Sequence, residues 1–373
     1  MSKTVVKKTW LRLRSISWIQ FFGDLLSRAL GFLPPETAHN MSLRILASNK
    51  VTQILPGIPL YNKDFTVHVP GLGSLIHPIG LAAGYDKNAV AIAGLYRLGF
   101  SLIEIGTVTP RPQLGHKKPR VFRRKDTHDL VNRMGFPNRG VTEVVSRLKE
   151  HGDRSFLLGI NIGKNQDTPS EKAMDDYLYG LEHMKAYGDY FVLNVSSPNT
   201  AGLRELATPK FFQRLSERIR EIEAGLTGKV WVKLDPDLDQ QSFQGNIEGI
   251  CQGDFAGVIL TNTARVIYPE PGGLSGHSLR SQSLRRLIWA TDVTGGRLPI
   301  MAVGGIMSGS DVIESLRLGA SCVQLYTALV YRGPWLVHKI LSEIEWCMDD
   351  LGIHHLSEVQ HLRLSDVRGV SRQ

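Results

Sequence analysis

Eight short apolar runs alternating with seven helical stretches predict an α/β chain closed into a (β/α)8 TIM barrel, behind an amino-terminal helical membrane-associating segment. The runs span 79–83, 102–109, 157–162, 190–195, 230–234, 257–261, 299–303 and 322–329. They are apolar on both faces, as strands of a buried parallel sheet must be. The helical stretches, at 88–98, 141–150, 174–187, 209–224, 241–251, 279–291 and 309–318, fall between most of them. Such alternation places helices outside a parallel sheet, and eight repeats are enough to close it. A doubly wound open sheet is the competing arrangement. Length agrees with one barrel: 373 residues, 42% hydrophobic and 21% charged, is ordinary globular composition.

The elements follow in order. Net charge is +9, and residues 1–50 carry eight Lys/Arg against Asp24 and Glu36. Trp18, Ile19, Phe22, Leu25, Leu26, Ala29 and Leu30 form the stripe of an amphipathic helix over 15–30, which Gly31 is placed to end. Pro35 opens a second helix to about residue 48, with Ala38, Met41 and Ile45 on one face. With Lys3, Lys7, Lys8, Arg12 and Arg14 ahead of them, these helices read as a foot on an anionic lipid surface. Trp10, Trp18, Phe21 and Phe22 favour that reading over simple packing against the next domain. The expected division is therefore 1–50 and 51–373. A mitochondrial presequence would need more than the fourteen or so residues ahead of the helix, and no secretory signal follows the basic start, so the segment is expected in the mature protein.

After it, residues 65–69 and 75–76 flank a Pro70-Gly-Leu-Gly73 turn and predict a hairpin. Residues 110–140 are too many for an ordinary βα loop and are expected to be functional. No window reaches about 18 uninterrupted apolar residues, so no membrane-spanning helix is expected. Cys251, Cys322 and Cys347 cannot make a disulfide scaffold.

In a barrel of this kind the chemistry lies just beyond the carboxyl ends of the strands. Here those positions hold Ala82 to Lys87, Gly106 to Thr109, Asn161 to Lys164, Asn194 to Asn199, Lys233, Thr261 to Thr263, Gly304-Gly305 and Tyr326-Thr327. Amides and hydroxyls dominate. No paired carboxylates of the glycosidase kind, no metal-ligand spacing, no G-x-S-x-G and no P-loop are present. What remains suits a flat, amide-bearing ligand, since Asn both donates and accepts, with Gly304-Gly305 and Tyr326-Thr327 placed for a phosphate.

Several runs then resemble one family closely: Gly80-Leu-Ala-Ala-Gly-Tyr-Asp-Lys87, Glu104-Ile-Gly-Thr-Val-Thr-Pro-Arg-Pro-Gln113, Lys118-Pro-Arg-Val-Phe-Arg123, Asn132-Arg-Met-Gly-Phe136, Gly159-Ile-Asn-Ile-Gly-Lys-Asn165, Asn194-Val-Ser-Ser-Pro-Asn-Thr200, Gly272-Gly-Leu-Ser-Gly276 and Val303-Gly-Gly-Ile306. From about residue 35 to 333 the chain resembles dihydroorotate dehydrogenase. The foot, and Ser197 where the soluble class carries Cys, resemble the membrane-associated, quinone-dependent class 2 enzymes.

That resemblance implies one FMN per chain, oxidation of dihydroorotate to orotate in pyrimidine (UMP) synthesis, and a membrane quinone as final acceptor. It implies Ser197 as the base at substrate C5, with hydride passing from C6 to the flavin. For the substrate it implies Lys87, Asn132, Arg133, Met134, Gly135, Phe136, Asn194, Asn199, Asn262 and Thr263. For the cofactor it implies Ala83, Gly84, Tyr85, Asp86, Lys87, Thr107, Asn161, Asn194, Lys233, Thr261, Gly276, Gly305, Tyr326 and Thr327. Lys233 would stand where reduction accumulates negative charge. A peripheral monomer on the cytoplasmic face of a bacterial inner membrane is expected, the mitochondrial inner membrane being the alternative.

Two departures stand out. Asp235 replaces the family's usual small residue after Lys233-Leu234, and could pair with Lys233 or point away. Pro137 follows Phe136 where Asn is usual. The basic stretch Lys117, Lys118, Arg120, Arg123, Arg124 and Lys125 has a nucleic-acid reading, but it lacks interleaved aromatics beyond Phe122. Loop charges are the preferred account, and no nucleic acid is expected.

Overall fold

The computed structural model describes residues 23, 25, 27–48, 50, 62–151, 154, 156–200, 202–267 and 269–361. The basic start and Trp10, Trp18, Phe21 and Phe22 lie outside the described residues. Helix α1 (Pro35–Leu46) begins at a proline, whose fixed φ suits a first helical position. Strands β1 (Val67–Val69) and β2 (Gly73–Leu75) pair antiparallel, as expected, with Gly71 and Gly73 at φ 79° and 88° making the turn. Gly71 lies against Gly228 and Ala256, just ahead of two barrel strands, so the hairpin covers the amino-terminal mouth.

Eight parallel strands close the barrel: β3 (Ile79–Leu81), β4 (Leu102–Val108), β7 (Leu157–Ile162), β8 (Tyr190–Asn194), β9 (Val230–Lys233), β10 (Gly257–Leu260), β13 (Ile300–Val303) and β14 (Cys322–Leu325), with β14 back on β3. Complementary sizes fill its interior. A Cβ on Gly80 would strike Leu102 of the next strand, one on Gly159 would strike the Tyr190 ring, and one on Gly257 would strike Trp231. Each glycine makes room for a large neighbour, giving a packed core rather than a pore.

Helices α2 (Ile92–Arg97), α3 (Gly140–Leu148), α4 (Ala173–Met184), α5 (Pro209–Ile222), α6 (Gln240–Gln252), α7 (Arg280–Thr294) and α8 (Gly309–Arg317) occupy the expected intervals. Side chains of Thr208, Asp239 and Ser308 accept N–H bonds at the starts of α5, α6 and α8, each cap stabilising by about 1 kcal/mol. Two boundaries differ from expectation. The helix expected from residue 88 begins only at Ile92, because the Asp86 carboxylate takes the N–H groups of Asn88, Val90 and Ala91 and holds the chain in a turn. The eighth strand stops at Leu325 rather than 329, and α9 (Thr327–Arg332) follows, before α10 (Leu336–Leu351). An apolar run buried either way does not distinguish strand from helix.

The long 110–140 segment holds β5 (Val121–Arg124) and β6 (Asp129–Asn132). With β11 (Ala264–Val266) and β12 (Gly272–Gly276), inserted after β10, they form a second sheet in the order β11-β12-β6-β5. Tyr331 of α9 anchors it by donating to the Asp129 carbonyl at 2.7 Å.

The foot is built onto this sheet. Residues 27–32 are helical, so Gly31 lies inside the helix it was expected to end. Arg123 of β5 satisfies the carbonyls at its end, donating to Leu33 at 2.7 Å and Gly31 at 3.3 Å. Arg120 holds Glu36 of α1 at 2.7 Å. Gly94 of α2 lets the Leu46 backbone approach where any Cβ would collide. Phe32 nonetheless remains 87% exposed and Leu25 52%. Among the described residues no helix is long and apolar enough to cross a membrane.

Candidate active site

A single cavity of about 1130 Å³ opens over the carboxyl ends of the barrel strands and runs out beneath the foot. Its floor is a hydrogen-bonded net of amides. Thr107 donates to Asn161 Oδ1 at 2.6 Å, and the Asn194 amide donates to both, at 3.1 and 3.2 Å. Asn262 donates to Asn194 Oδ1 at 3.1 Å and to Ser196 Oγ at 2.9 Å. Farther out, Asn199 Nδ2 reaches Asn132 Oδ1 at 3.3 Å, and Asn132 reaches the Gly273 carbonyl at 3.3 Å. Two strand ends and the second sheet thus bring four asparagines to one wall.

Ser197 lies on the loop after β8, 5% exposed and lining the cavity. Its Oγ accepts the Asn199 backbone N–H at 3.2 Å. That donor favours negative charge on the oxygen, the direction a serine base requires. Lys87 follows β3 and donates to the Gly84 carbonyl. Burial pushes its ammonium down to about 8, Asp86 opposing the shift. Lys233, at the end of β9, is also lowered by burial, with Glu104 opposing.

Asp235 does not pair with Lys233. Its carboxylate binds Arg204 Nε at 2.7 Å instead. At the cavity's other end, Gly304 and Gly305 have φ of 124° and 71°, and a Cβ on Gly305 would strike the Arg280 backbone. Only glycine lets the chain turn so closely there. Thr327 donates to Ser275 beside them at 2.9 Å.

Of the residues expected from the sequence, Ser197, Lys87, Asn132, Met134, Gly135, Phe136, Asn194, Asn199, Asn262, Thr263, Ala83, Gly84, Tyr85, Thr107, Lys233, Thr261, Gly276, Gly305, Tyr326 and Thr327 all line this cavity. Three stand back from it. Asn161 acts from behind, through Thr107 and Asn194. Asp86 is consumed by its own turn. Arg133 lies over the Phe122 ring and donates to the Pro119 carbonyl, so its role is to brace the long loop.

The family model for dihydroorotate dehydrogenase matches residues 65–348. The chain belongs to the dihydroorotate dehydrogenase family. A relative from Marinobacter nauticus, named dihydroorotate dehydrogenase (quinone), is 40% identical over 334 residues, covering 86% of this chain and 98% of its own length. One of the same name from Myxococcus xanthus is 41% identical over 339 residues, covering 86% and 92%. The crystal structure of the Eimeria tenella enzyme with ferulenol superposes with a TM-score of 0.80 at 33% identity, over 87% of this chain and 94% of that one.

Against that family background, sequence reasoning passed over Glu104 and Gln324. Glu104, fully buried on β4, accepts from Asn161 Nδ2 at 2.7 Å and from Gln324 Nε2 at 2.6 Å. The available signal was a carboxylate inside a run buried on both faces, which demands internal partners. The basic stretch also resolves: Arg120 and Arg123 are spent on Glu36 and on helix-end carbonyls, as structural charges.

Proposed function

We propose that this chain oxidises dihydroorotate to orotate with one bound FMN and passes the electrons to a membrane quinone, as a step of pyrimidine biosynthesis. The observation that carries the reading is the convergence of Ser197, Lys87 and the amides of Asn132, Asn194, Asn199 and Asn262 in one cavity.

The residues present fit FMN. Gln324 lines the cavity floor with a buried Oε1 that has no partner, an acceptor left for an imide-like N–H. The Gly304-Gly305 cradle suits a phosphate. Thr107, Asn194 and Lys233 would hold the ring edge, with Gly84 beneath it. When bound, FMN supplies a hydride acceptor.

The chain's own groups do the rest. Four asparagines match the alternating donors and acceptors of a pyrimidine ring and orient it. The Lys87 ammonium fixes the substrate carboxylate. Ser197 Oγ, its own hydroxyl proton having passed to water, receives the proton from C5, and until then the Asn199 N–H stabilises the negative charge on that oxygen. Lys233 supplies positive charge where electrons arrive.

For the second substrate, the same cavity continues past Tyr326 and Leu329 to Leu30, Phe32 and His39 of the foot. This apolar exit suits a lipid-soluble quinone, and the exposed Leu25 and Phe32 suit a bilayer surface. Residues 1–50 are the membrane- and quinone-facing segment and 51–373 the FMN-binding barrel. The bacterial relatives favour the cytoplasmic face of an inner membrane, with anionic lipid as the contact.

Anaerobic addition of dihydroorotate to the FMN-loaded protein tests the chemistry. Bleaching of the flavin band is expected; an unchanged band would leave a flavin-binding protein without this activity.

A further inference from the structure

Glu104 is a buried carboxylate that touches none of the atoms assigned above to substrate or cofactor. It is fully buried on β4, among Tyr190 of β8, Lys233 of β9 and Cys322 and Gln324 of β14. No cation forms an ion pair with it among the described residues; its two oxygens are held by the neutral amides of Asn161 and Gln324. A buried carboxylate needs a reason to remain.

The reason lies in hydrogen-bond polarity. An ionised carboxylate only accepts, so both amides must turn their NH2 groups toward it. Asn161 then presents Oδ1 to Thr107 and Asn194. Asn194 must donate there, which leaves its own Oδ1 facing Asn262 and Ser196. Asn262 donates in turn, so its Oδ1 accepts the Thr263 N–H at 2.8 Å. Gln324, with its NH2 committed to Glu104, keeps Oε1 unpartnered at the cavity floor. One carboxylate therefore orients four amides around the site.

Charge is the second consequence. Lys233 is buried beside the cavity, and Glu104 is the charge that favours its protonated form. We propose that Glu104 is a positioning residue of the cofactor site, fixing the facing of the surrounding amides and balancing Lys233 so that the bound flavin meets a defined field. This rests on the FMN reading above.

Glu104→Gln tests it with almost no change of shape. A glutamine must turn one NH2 against the NH2 of Asn161 or Gln324, so one of those amides flips. The readout is the midpoint potential of bound FMN in the holoprotein, measured with a redox dye at pH 6 and pH 9. Loss of the negative charge favours the reduced, more anionic flavin. At pH 6 the preference for reduced over oxidised FMN is expected to rise at least tenfold, about 30 mV for a two-electron couple.

At pH 9 the difference shrinks. Without Glu104 the buried Lys233 loses its proton more readily, and its charge goes with it. Tyr190 and Cys322, both pushed up by burial and by Glu104, stay neutral across this range. Should Glu104→Gln fail to fold, Glu104→Asp keeps the negative charge and the NH2 facing of the amides, so its potential stays near the parent's.

Equal potentials in Glu104→Gln and parent at both pH values, or a tenfold shift in a folded Glu104→Asp, would overturn the proposal. If the parent itself bound no FMN, the cofactor reading would fail instead, an outcome distinct from bound FMN with an unmoved potential.

Discussion

Arg204 binds Asp235 at 2.7 Å and Asp237 at 2.8 Å, and from that position donates to the carbonyls of Ser196 and Thr263 at 3.2 and 3.1 Å. One guanidinium thus ties together the loops after β8, β9 and β10, next to Ser197. The acidic departure after Lys233 serves this clamp.

The clamp has a pH dependence. Despite the ion pair, burial raises the Asp235 carboxyl to about 6, with the Asp237 N–H and Arg204 opposing. A carboxyl whose folded pKa lies above its unfolded value of about 3.9 binds its proton more tightly in the folded state. Its contribution is therefore full at low pH and is lost as pH rises from about 4 through 6. Asp235→Asn removes that fall, so its stability relative to the parent improves across this window in thermal melts. Parallel curves for the two proteins would refute the assignment.

The same geometry separates Asp235 from the flavin. Lys233→Met is expected to weaken FMN binding and lower the flavin potential, because a cation at the ring edge is lost. Asp235→Ala should leave the potential where it was, since its carboxylate faces Arg204. A potentiometric titration in which Asp235→Ala shifts the midpoint as much as Lys233→Met would contradict this separation.

Ser197→Ala should retain FMN and orotate while flavin reduction slows by about 10²–10⁴-fold, the scale of losing a general base. Stopped-flow reduction at the parental rate would remove Ser197 from the mechanism.

Glu36 tethers the foot to the active-site loop through Arg120 and Lys118. Glu36→Gln is expected to cost on the order of 2 kcal/mol, as for hydrogen bonds to a charged group. It should slow reoxidation by long-chain quinone more than reduction by dihydroorotate. Equal slowing of both half-reactions would show that the foot does not serve the quinone side.

Much of the barrel was legible because each strand is a short run buried on both faces and each ends in polar or glycine residues. Ser197, Asn194 and Asn199 stood out for that reason, at a strand end where chemistry collects. The second sheet did not. Its strands are short, and β5 carries arginines that read as loop charge, although Arg123 is a helix-end cap. Glu104 and Gln324 were hidden for the opposite cause, since their partners come from strands far apart in sequence and only barrel closure brings them together.

Reoxidation of the dihydroorotate-reduced protein tests the account most directly. The full chain, reduced anaerobically by one equivalent of dihydroorotate, is mixed with vesicles of anionic lipid carrying a long-chain quinone, or with fumarate. The account predicts return of the flavin band with quinone at a rate that supports turnover, and none with fumarate. Rapid return with fumarate and a silent quinone arm would contradict it.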